Sequence, residues 1–322
     1  MKRWLVVVGA AGATAAAVVV AAAAARAVAT RLRRLPDPVL LADLLREPPG
    51  ADMIVHRPDG TRLRVRVCGA GPTVVLAHGL ALSLGEWNLV SPLLLADGYR
   101  VVAFDARGHG QSTIGGQGID AAAMAADLAG VLEATGTTDA VLVGHSMGGF
   151  LALQAVLDVP GVADRLAGLV LVASFAGDIL DHAPQNRAEA PMLRSHLLPR
   201  LAANPTVGTL FAASFFGPRP SPAMLTAFLR QVLAGDHEPL LPLLEAFTAR
   251  DLLGRLPEVQ VPTVVVCGLA DHTAPPRDSQ RIAAAIPRAR AVWVEDVGHM
   301  IPWESPTTIR DAVASARQRN PR

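Results

Sequence analysis

Apolar residues fall into three patterns along the chain, and their order predicts an architecture. Strict alternation marks two half-buried strands, Met53-Ile-Val-His56 and Leu63-Arg-Val-Arg-Val-Cys68, joined through a Pro58-Asp59-Gly60 turn. In that pattern Arg64 and Arg66 point to solvent. Unbroken aliphatic runs follow at Thr73–Ala77 and Arg100–Phe104, as expected of strands covered on both faces of a parallel sheet. Further strands are expected from Val141 to Gly144, Gly168 to Ala173, Val261 to Cys267 and Ala291 to Glu295. Helical spacing separates them: Asp120 to Thr135 with Asp120 as N-cap, Leu151 to Val156, Asp278 to Ile286, and a last helix from about Ser305. Strands alternating with helices in this way predict right-handed βαβ units, hence an α/β fold with a doubly wound, mostly parallel sheet.

Two stretches break the rhythm. Residues 174–250 carry prolines, helical leucine patterns and the apolar cluster Phe211, Phe215, Phe216 and Leu225, but no strand pattern. They are expected to form a helical cap insertion over the carboxyl edge of the sheet. At the other end, Lys2 and Arg3 precede an uncharged run over residues 4–25, closed by Arg26, Arg31, Arg33 and Arg34. That run is long enough to cross a bilayer core of about 30 Å as a helix. It is expected to be a single N-terminal hydrophobic helix that anchors the protein in the cell membrane. The alternative is secretion after signal-peptide cleavage, since Ala27-Val28-Ala29 offers small residues for a cut. The larger arginine cluster follows the run and favours a cytoplasmic location for the rest of the chain. The expected organisation is therefore an anchor or signal segment at 1–34, a linker at 35–51 with one short amphipathic turn, a core at 52–173 and 251–322, and the cap at 174–250.

Composition narrows the chemistry. The chain has 322 residues, 51% hydrophobic and 18% charged, which is ample for a core and excludes global disorder. Net charge is +1 with the basic residues dispersed, so no nucleic-acid partner is expected. Lys2 is the only lysine, which leaves none in the body of the chain for a Schiff base or a phosphate clamp. Cys68 and Cys267 lie near strand ends and read as buried thiols. The histidines and carboxylates match no metal-site spacing, and the glycine loops lack a P-loop lysine or a dinucleotide fingerprint. Neither a metal nor a cofactor is expected.

The remaining signal is Gly144-His-Ser146-Met-Gly148, a serine between glycines where a strand runs into a helix. Taken alone, that serine could be a helix N-cap. Two later loops add an aspartate and a histidine, Asp271 and His299, each just after a strand of the same expected sheet. Loops at the carboxyl ends of parallel strands converge. A serine hydroxyl needs an imidazole to take its proton, and the imidazole needs a carboxylate to orient it.

These motifs together resemble the α/β-hydrolase family over roughly residues 52–318. His78-Gly79 matches its oxyanion loop, and Asp105-Ala-Arg-Gly-His-Gly-Gln-Ser112 matches its D-x-R-G-x-G-x-S loop. Gly144–Gly149 matches the nucleophile elbow, Gly268–Asp271 with Pro275 the acid loop, and Gly298-His299 the base loop. The resemblance implies Ser146 as nucleophile, His299 as general base and Asp271 as its orienting acid, with Asp178 and Asp296 as substitutes for Asp271. It also implies an oxyanion hole from the backbone N–H groups of Leu80 and Met147. Leu80, Trp87, Phe175, Phe215 and Met300 are the expected pocket lining. His78 and His109 are expected to hold loops together, and His145 to brace the elbow.

Several branches of such a family are set aside by residue type. Aspartate nucleophiles are excluded by Ser146, a pair of cap tyrosines by Tyr99 being the only tyrosine, and a lysine near the triad by the lysine count. The expected function is a serine hydrolase that cleaves carboxylic esters with a hydrophobic part through an acyl-enzyme. Gly-His-Ser-Met-Gly-Gly is similar to monoacylglycerol lipases. The alternatives are a C–C bond hydrolase using Arg187, Arg194 or Arg219 for a substrate carboxylate, a perhydrolase or haloperoxidase-like enzyme, or a membrane-anchored, non-catalytic binding module.

Overall fold

The computed structural model describes residues 20–179, 198–235 and 240–318. Its strands are β1 (Ala51–His56), β2 (Arg62–Cys68), β3 (Thr73–Ala77), β4 (Arg100–Phe104), β5 (Ala140–His145), β6 (Leu166–Val172), β7 (Thr263–Gly268) and β8 (Arg290–Val294). They form one sheet in the order β1-β2-β4-β3-β5-β6-β7-β8. β1/β2 and β2/β4 pair antiparallel, and every other neighbour pairs parallel. The two alternating strands thus form the antiparallel edge, and the continuous aliphatic runs occupy the doubly covered centre. That division follows from burial on one face or two.

The helices are α1 (20–32), α2 (Leu41–Leu44), α3 (Val90–Ala96), α4 (Ala121–Ala134), α5 (Met147–Asp158), α6 (Leu198–Ala202), α7 (Pro205–Ala213), α8 (Pro222–Ala234), α9 (Leu240–Ala249), α10 (Pro276–Ala285), α11 (Ile301–Glu304) and α12 (Pro306–Arg317). Asp120 caps α4 as expected, accepting the N–H groups of Ala122 and Ala123 at 3.1 and 3.3 Å. One apolar layer buries Leu128, Leu132, Phe150 and Leu153 with Val75, Leu142 and Leu171 of the sheet. The other buries Trp87, Val90, Leu94, Ile309 and Val313 with Val74, Leu76 and Val143. Successive residues of a strand feed opposite layers, which is why the central strands show no alternation.

Within the described part of the insertion, α6 to α9 are helical and no strand occurs. A third apolar cluster joins it to the core through Phe216, Met224, Leu225 and Phe228, packed with Leu82, Met300 and Trp303.

Two expectations about the N-terminal part need correction, and a third falls largely outside the described residues. Arg64 does not face solvent: it is 5% exposed. It grips Glu47 through two N–H groups at 2.7 and 2.8 Å and Asp52 at 3.0 Å. An acidic partner supplied from outside the strand pair overrides the alternation. Second, 35–51 is no loose linker. Leu44 is buried in the cap cluster, Asn88 donates to the carbonyls of Asp43 and Leu44, and Asp37 bonds the Ser221 hydroxyl and accepts the Ala223 N–H at the start of α8. Third, the expected anchor over 4–25 lies mostly outside the described residues, and among the described residues no helix is long and apolar enough to cross a membrane. The described end of that run, in α1, is exposed at Val20 and docks further on, where Ala29 is buried and Arg33 donates to the Pro205 carbonyl (2.8 Å) and the Thr209 hydroxyl (2.9 Å) of the cap.

The buried thiol expected at Cys267 is present, and burial pushes its pKa up to about 12, so it is inert as a nucleophile. Cys68 is half-buried, and both thiols are free.

Candidate active site

Ser146 sits at the turn between β5 and α5 with φ +51° and ψ −116°, outside the regions an L-residue normally occupies. The cost is sustained by the crossing around it. A Cβ on Gly144 would lie 2.4 Å from the Gly148 carbonyl oxygen, and one on Gly148 would lie 2.1 Å from that of Ala77. Only glycine allows strand, turn and helix to approach so closely. Ser174, at the end of β6, braces the turn by donating its hydroxyl to the Ser146 carbonyl at 3.0 Å. The Met147 amide opens α5, where the first N–H groups lack intrahelical acceptors and the dipole end is positive.

Asp271 follows β7 and is 2% exposed. Its Oδ1 accepts the N–H groups of Thr273 (2.8 Å) and Ala274 (2.9 Å), which leaves Oδ2 aimed at His299 Nδ1, 2.8 Å away. A carboxylate accepts only, so Nδ1 carries the proton and Nε2 keeps its lone pair. His299 itself is held from the cap: its N–H and that of Met300 both donate to the Phe215 carbonyl, at 2.8 and 3.1 Å. The two substitutes for Asp271 lie elsewhere. Asp178 lines a separate hollow with Asp251 and Arg281, and Asp296 is an exposed partner of Arg219.

Ser146 and His299 line one cavity together with Leu80, Met147, Phe175, Phe215 and Met300. Trp87, expected among them, does not: it is fully buried in the layer beneath the sheet with Val90 and Leu94. The 3₁₀ turn Leu84–Asn88 rotates it inward, and its helical neighbours claim its area. Sequence reasoning also missed most of the cavity wall, which is completed by Ile179, Phe211, Phe228, Val232, Leu244 and Phe247. The aromatic rings of this wall pack on one another, with Phe215 4.7 Å from Phe228 and 5.3 Å from Phe211 between centroids. Among the described residues, Thr273 is the one polar wall residue outside the serine, histidine and glycine loops.

The bracing histidines do what was expected of them. His78 Nδ1 donates to the Gly79 carbonyl (2.7 Å) and Nε2 accepts the Ala106 N–H (2.9 Å), pinning the oxyanion loop to the Asp105 loop. His109 Nδ1 donates to the Arg107 carbonyl at 3.0 Å. Burial lowers the pKa of both, that of His109 to about 4, so both are neutral structural groups at neutral pH. Among the described residues no cluster of histidine, cysteine and carboxylate could hold a metal.

Glu304 is a further carboxylate that no motif marks. Its two oxygens accept the N–H groups of Gly217 in the cap (2.8 Å) and Gly298 in the base loop (2.9 Å), and burial raises its pKa to about 7. The folded state therefore holds a proton that the unfolded chain releases near pH 4.5. The stability this contributes is complete below that pH and is lost as pH rises through about 7. We expect the fall in melting temperature between pH 5 and 8 to be smaller in Glu304→Gln than in the natural chain; equal slopes would remove Glu304 as its source.

Comparison with known proteins agrees with this construction. Residues 72–306 match the model of the alpha/beta hydrolase fold family. A non-heme haloperoxidase from Rhodococcus erythropolis is 29% identical over 240 residues, 71% of this chain and 85% of that protein. A bifunctional esterase/perhydrolase from Acinetobacter calcoaceticus is 28% identical over 211 residues, 63% of this chain and 76% of that protein. Among solved structures, an esterase from Exiguobacterium antarcticum superposes with a TM-score of 0.74 at 22% identity, covering 84% of this chain and all of that one. With its sheet order, its serine turn and a family match over most of its length, the chain belongs to the alpha/beta hydrolase family.

Proposed function

We propose that the protein is a serine hydrolase that cleaves carboxylic esters with a hydrophobic acyl or lipid-like part through an acyl-enzyme. The observation that carries this reading is the setting of Ser146: it opens with His299 into a cavity walled by Phe175, Phe211, Phe215, Phe228 and Phe247, while Asp271 holds His299 from behind. In this mechanism His299 Nε2 takes the hydroxyl proton as Ser146 Oγ attacks the ester carbonyl. The amides of Met147 and Leu80 bind the developing oxyanion, each donor being worth about 3–4 kcal/mol. The alkoxide leaves with the proton from His299, which then activates water to release the acid. An aromatic wall stabilises an acyl chain by removing apolar surface from water, at about 0.8 kcal/mol per methylene buried.

The esterase/perhydrolase relative favours one second reading, in which hydrogen peroxide takes the place of water and the acyl group leaves as a peracid. The C–C hydrolase alternative loses support. Arg219 is exposed and paired with Asp296, and no arginine or lysine is among the described residues lining the cavity. Arg187 and Arg194 lie outside the described residues.

Residues 4–25 remain proposed as a membrane anchor on the strength of their sequence; the contact of Arg33 with the cap lies beyond the candidate cut and is kept in either case. An anchor leaving from the cap would bring the cavity close to lipid.

A panel of p-nitrophenyl esters of increasing acyl length, run on the full-length chain, tests the substrate class. We expect kcat/KM to rise from acetate to medium chains by about 10-fold per two methylenes until the wall is filled. A preference for acetate would refute the hydrophobic-acyl reading. Failure to react with a fluorophosphonate would favour the binding-module alternative.

A further inference from the structure

Behind Ser146 lies a second carboxylate–imidazole contact that the reaction does not use. Glu86 and His145 are both fully buried and paired through Oε1 and Nδ1. Glu86 Oε2 accepts the Gly79 N–H at 2.8 Å, and His145 Nε2 lies 3.0 Å from the His299 carbonyl oxygen. The Glu86 carbonyl in turn accepts the Trp303 indole N–H at 2.9 Å, in the short helix that follows His299. One continuous chain of contacts therefore runs from the oxyanion loop, through Glu86 and His145, to the backbone of the base loop.

The proton count in this chain is set by its ends. A carbonyl cannot donate, so His145 Nε2 must carry a proton. Nδ1 and Oε1 touch without the alignment of a full hydrogen bond, and since two facing lone pairs repel at that distance, one further proton is assigned to the pair. The groups facing the pair are His78 from the end of β3, Asp271 from its loop, and His299, whose ring centroid is 4.8 Å from that of His145. Burial alone would lower the His145 pKa, yet the Glu86 carboxylate raises it above its ordinary value.

We propose that Glu86 and His145 are positioning residues, a one-proton pair that ties the Gly79 loop to the His299 loop and sets the distance between oxyanion donors and general base. This rests on the serine-hydrolase reading of the site. Neither loop has regular structure of its own, and an error of about 1 Å between reacting groups costs on the order of 100-fold in rate. The tie fixes both loops from the buried side: His145 forms part of the cavity wall beside the serine, while Glu86 lies behind it and does not line the cavity.

Two substitutions separate the tie from packing. Glu86→Gln keeps the volume and can remake every bond: its carbonyl accepts from Gly79, and its amide donates to a neutral His145. Glu86→Met keeps the volume and makes none of them. The readouts on the full-length protein are ester turnover and the second-order rate of fluorophosphonate labelling of Ser146, with circular dichroism as a check of folding. Expected is a loss of about 30-fold or more in kcat and in labelling rate for Glu86→Met, KM within about 3-fold, and recovery to within about 3-fold in Glu86→Gln. A folded Glu86→Met at natural rates would overturn the proposal, as would a Gln variant as slow as the Met variant.

If Glu86→Met does not fold, proton NMR decides the matter without turnover. In the Ser146→Ala protein the pair should give a low-field bridging-proton resonance besides that of His299 with Asp271. Asp271→Asn should remove only the latter, and Glu86→Gln only the former. Absence of the extra resonance in folded protein would refute the shared proton. Labelling without ester turnover would instead reject the ester assignment and leave the tie testable.

Discussion

Replacing Ser146 by alanine is expected to abolish fluorophosphonate labelling and to lower ester turnover by about 10⁵–10⁶-fold, with substrate binding almost unchanged. In the proposed mechanism the hydroxyl is the only part of the residue that reacts, and its removal leaves the turn intact. Ser146 is held at φ +51° by the backbone crossing at Gly144 and Gly148 and by Ser174 on its carbonyl, none of which involves Oγ. Alanine has the same Cβ and meets the same strain. Stability should therefore stay within about 0.5 kcal/mol, as for a substitution that removes no buried contact. Steady-state kinetics with a p-nitrophenyl ester and a thermal melt check both halves. A variant that kept even a hundredth of the natural rate would require a different nucleophile.

The second large effect is expected at Asp271. Asp271→Asn preserves shape and the bonds to Thr273 and Ala274, which asparagine Oδ1 accepts equally well. What changes is the atom facing His299 Nδ1. An amide N–H there donates to Nδ1, which moves the imidazole proton to Nε2 and leaves no lone pair for the serine proton. A fall in kcat of about 10⁴-fold with KM little changed is expected, the size such a tautomer error has elsewhere. Asp178→Asn and Asp296→Asn are the controls, since neither carboxylate contacts His299; each should stay within about 2-fold of the natural chain. If Asp271→Asn lost only a few-fold and Asp296→Asn lost thousands, the acid would be misassigned.

The ease of reading this chain differs sharply between its parts, for physical reasons visible residue by residue. Val74, Val75, Val141 and Val143 sit in uninterrupted aliphatic runs because both faces of a central parallel strand are covered, so burial is written into consecutive positions. Asp120 announces its helix because an N-cap satisfies amides two and three residues away. The serine turn is legible because close backbone crossings exclude every side chain at Gly144 and Gly148, which writes a spacing into the sequence.

Trp87, Arg64 and Glu86 show the opposite case. A tryptophan beside an oxyanion loop suits a cavity wall or a core equally well, and the direction of one 3₁₀ turn decided for the core. Arg64 alternates like a solvent-facing residue, and Glu47, seventeen positions away, drew it inward. The Glu86 carboxylate has no partner within its own turn: it meets Gly79 and His145, and the Glu86 carbonyl meets Trp303, contacts that only the folded chain brings together.

The sequence by itself determined the α/β class, the strand-by-strand placement of Ser146, Asp271 and His299, and the residue types at each loop, because these depend on local geometry and on periodicity over a few residues. Only the tertiary structure decided which aromatic side chains wall the cavity, that parts of residues 29–47 pack against the cap and the sheet edge, and that a second buried acid and imidazole stand behind the serine. Those features arise from contacts between residues far apart in the chain, where neither spacing nor propensity carries a signal, and where packing and the pairing of buried charge choose among side chains of the same type.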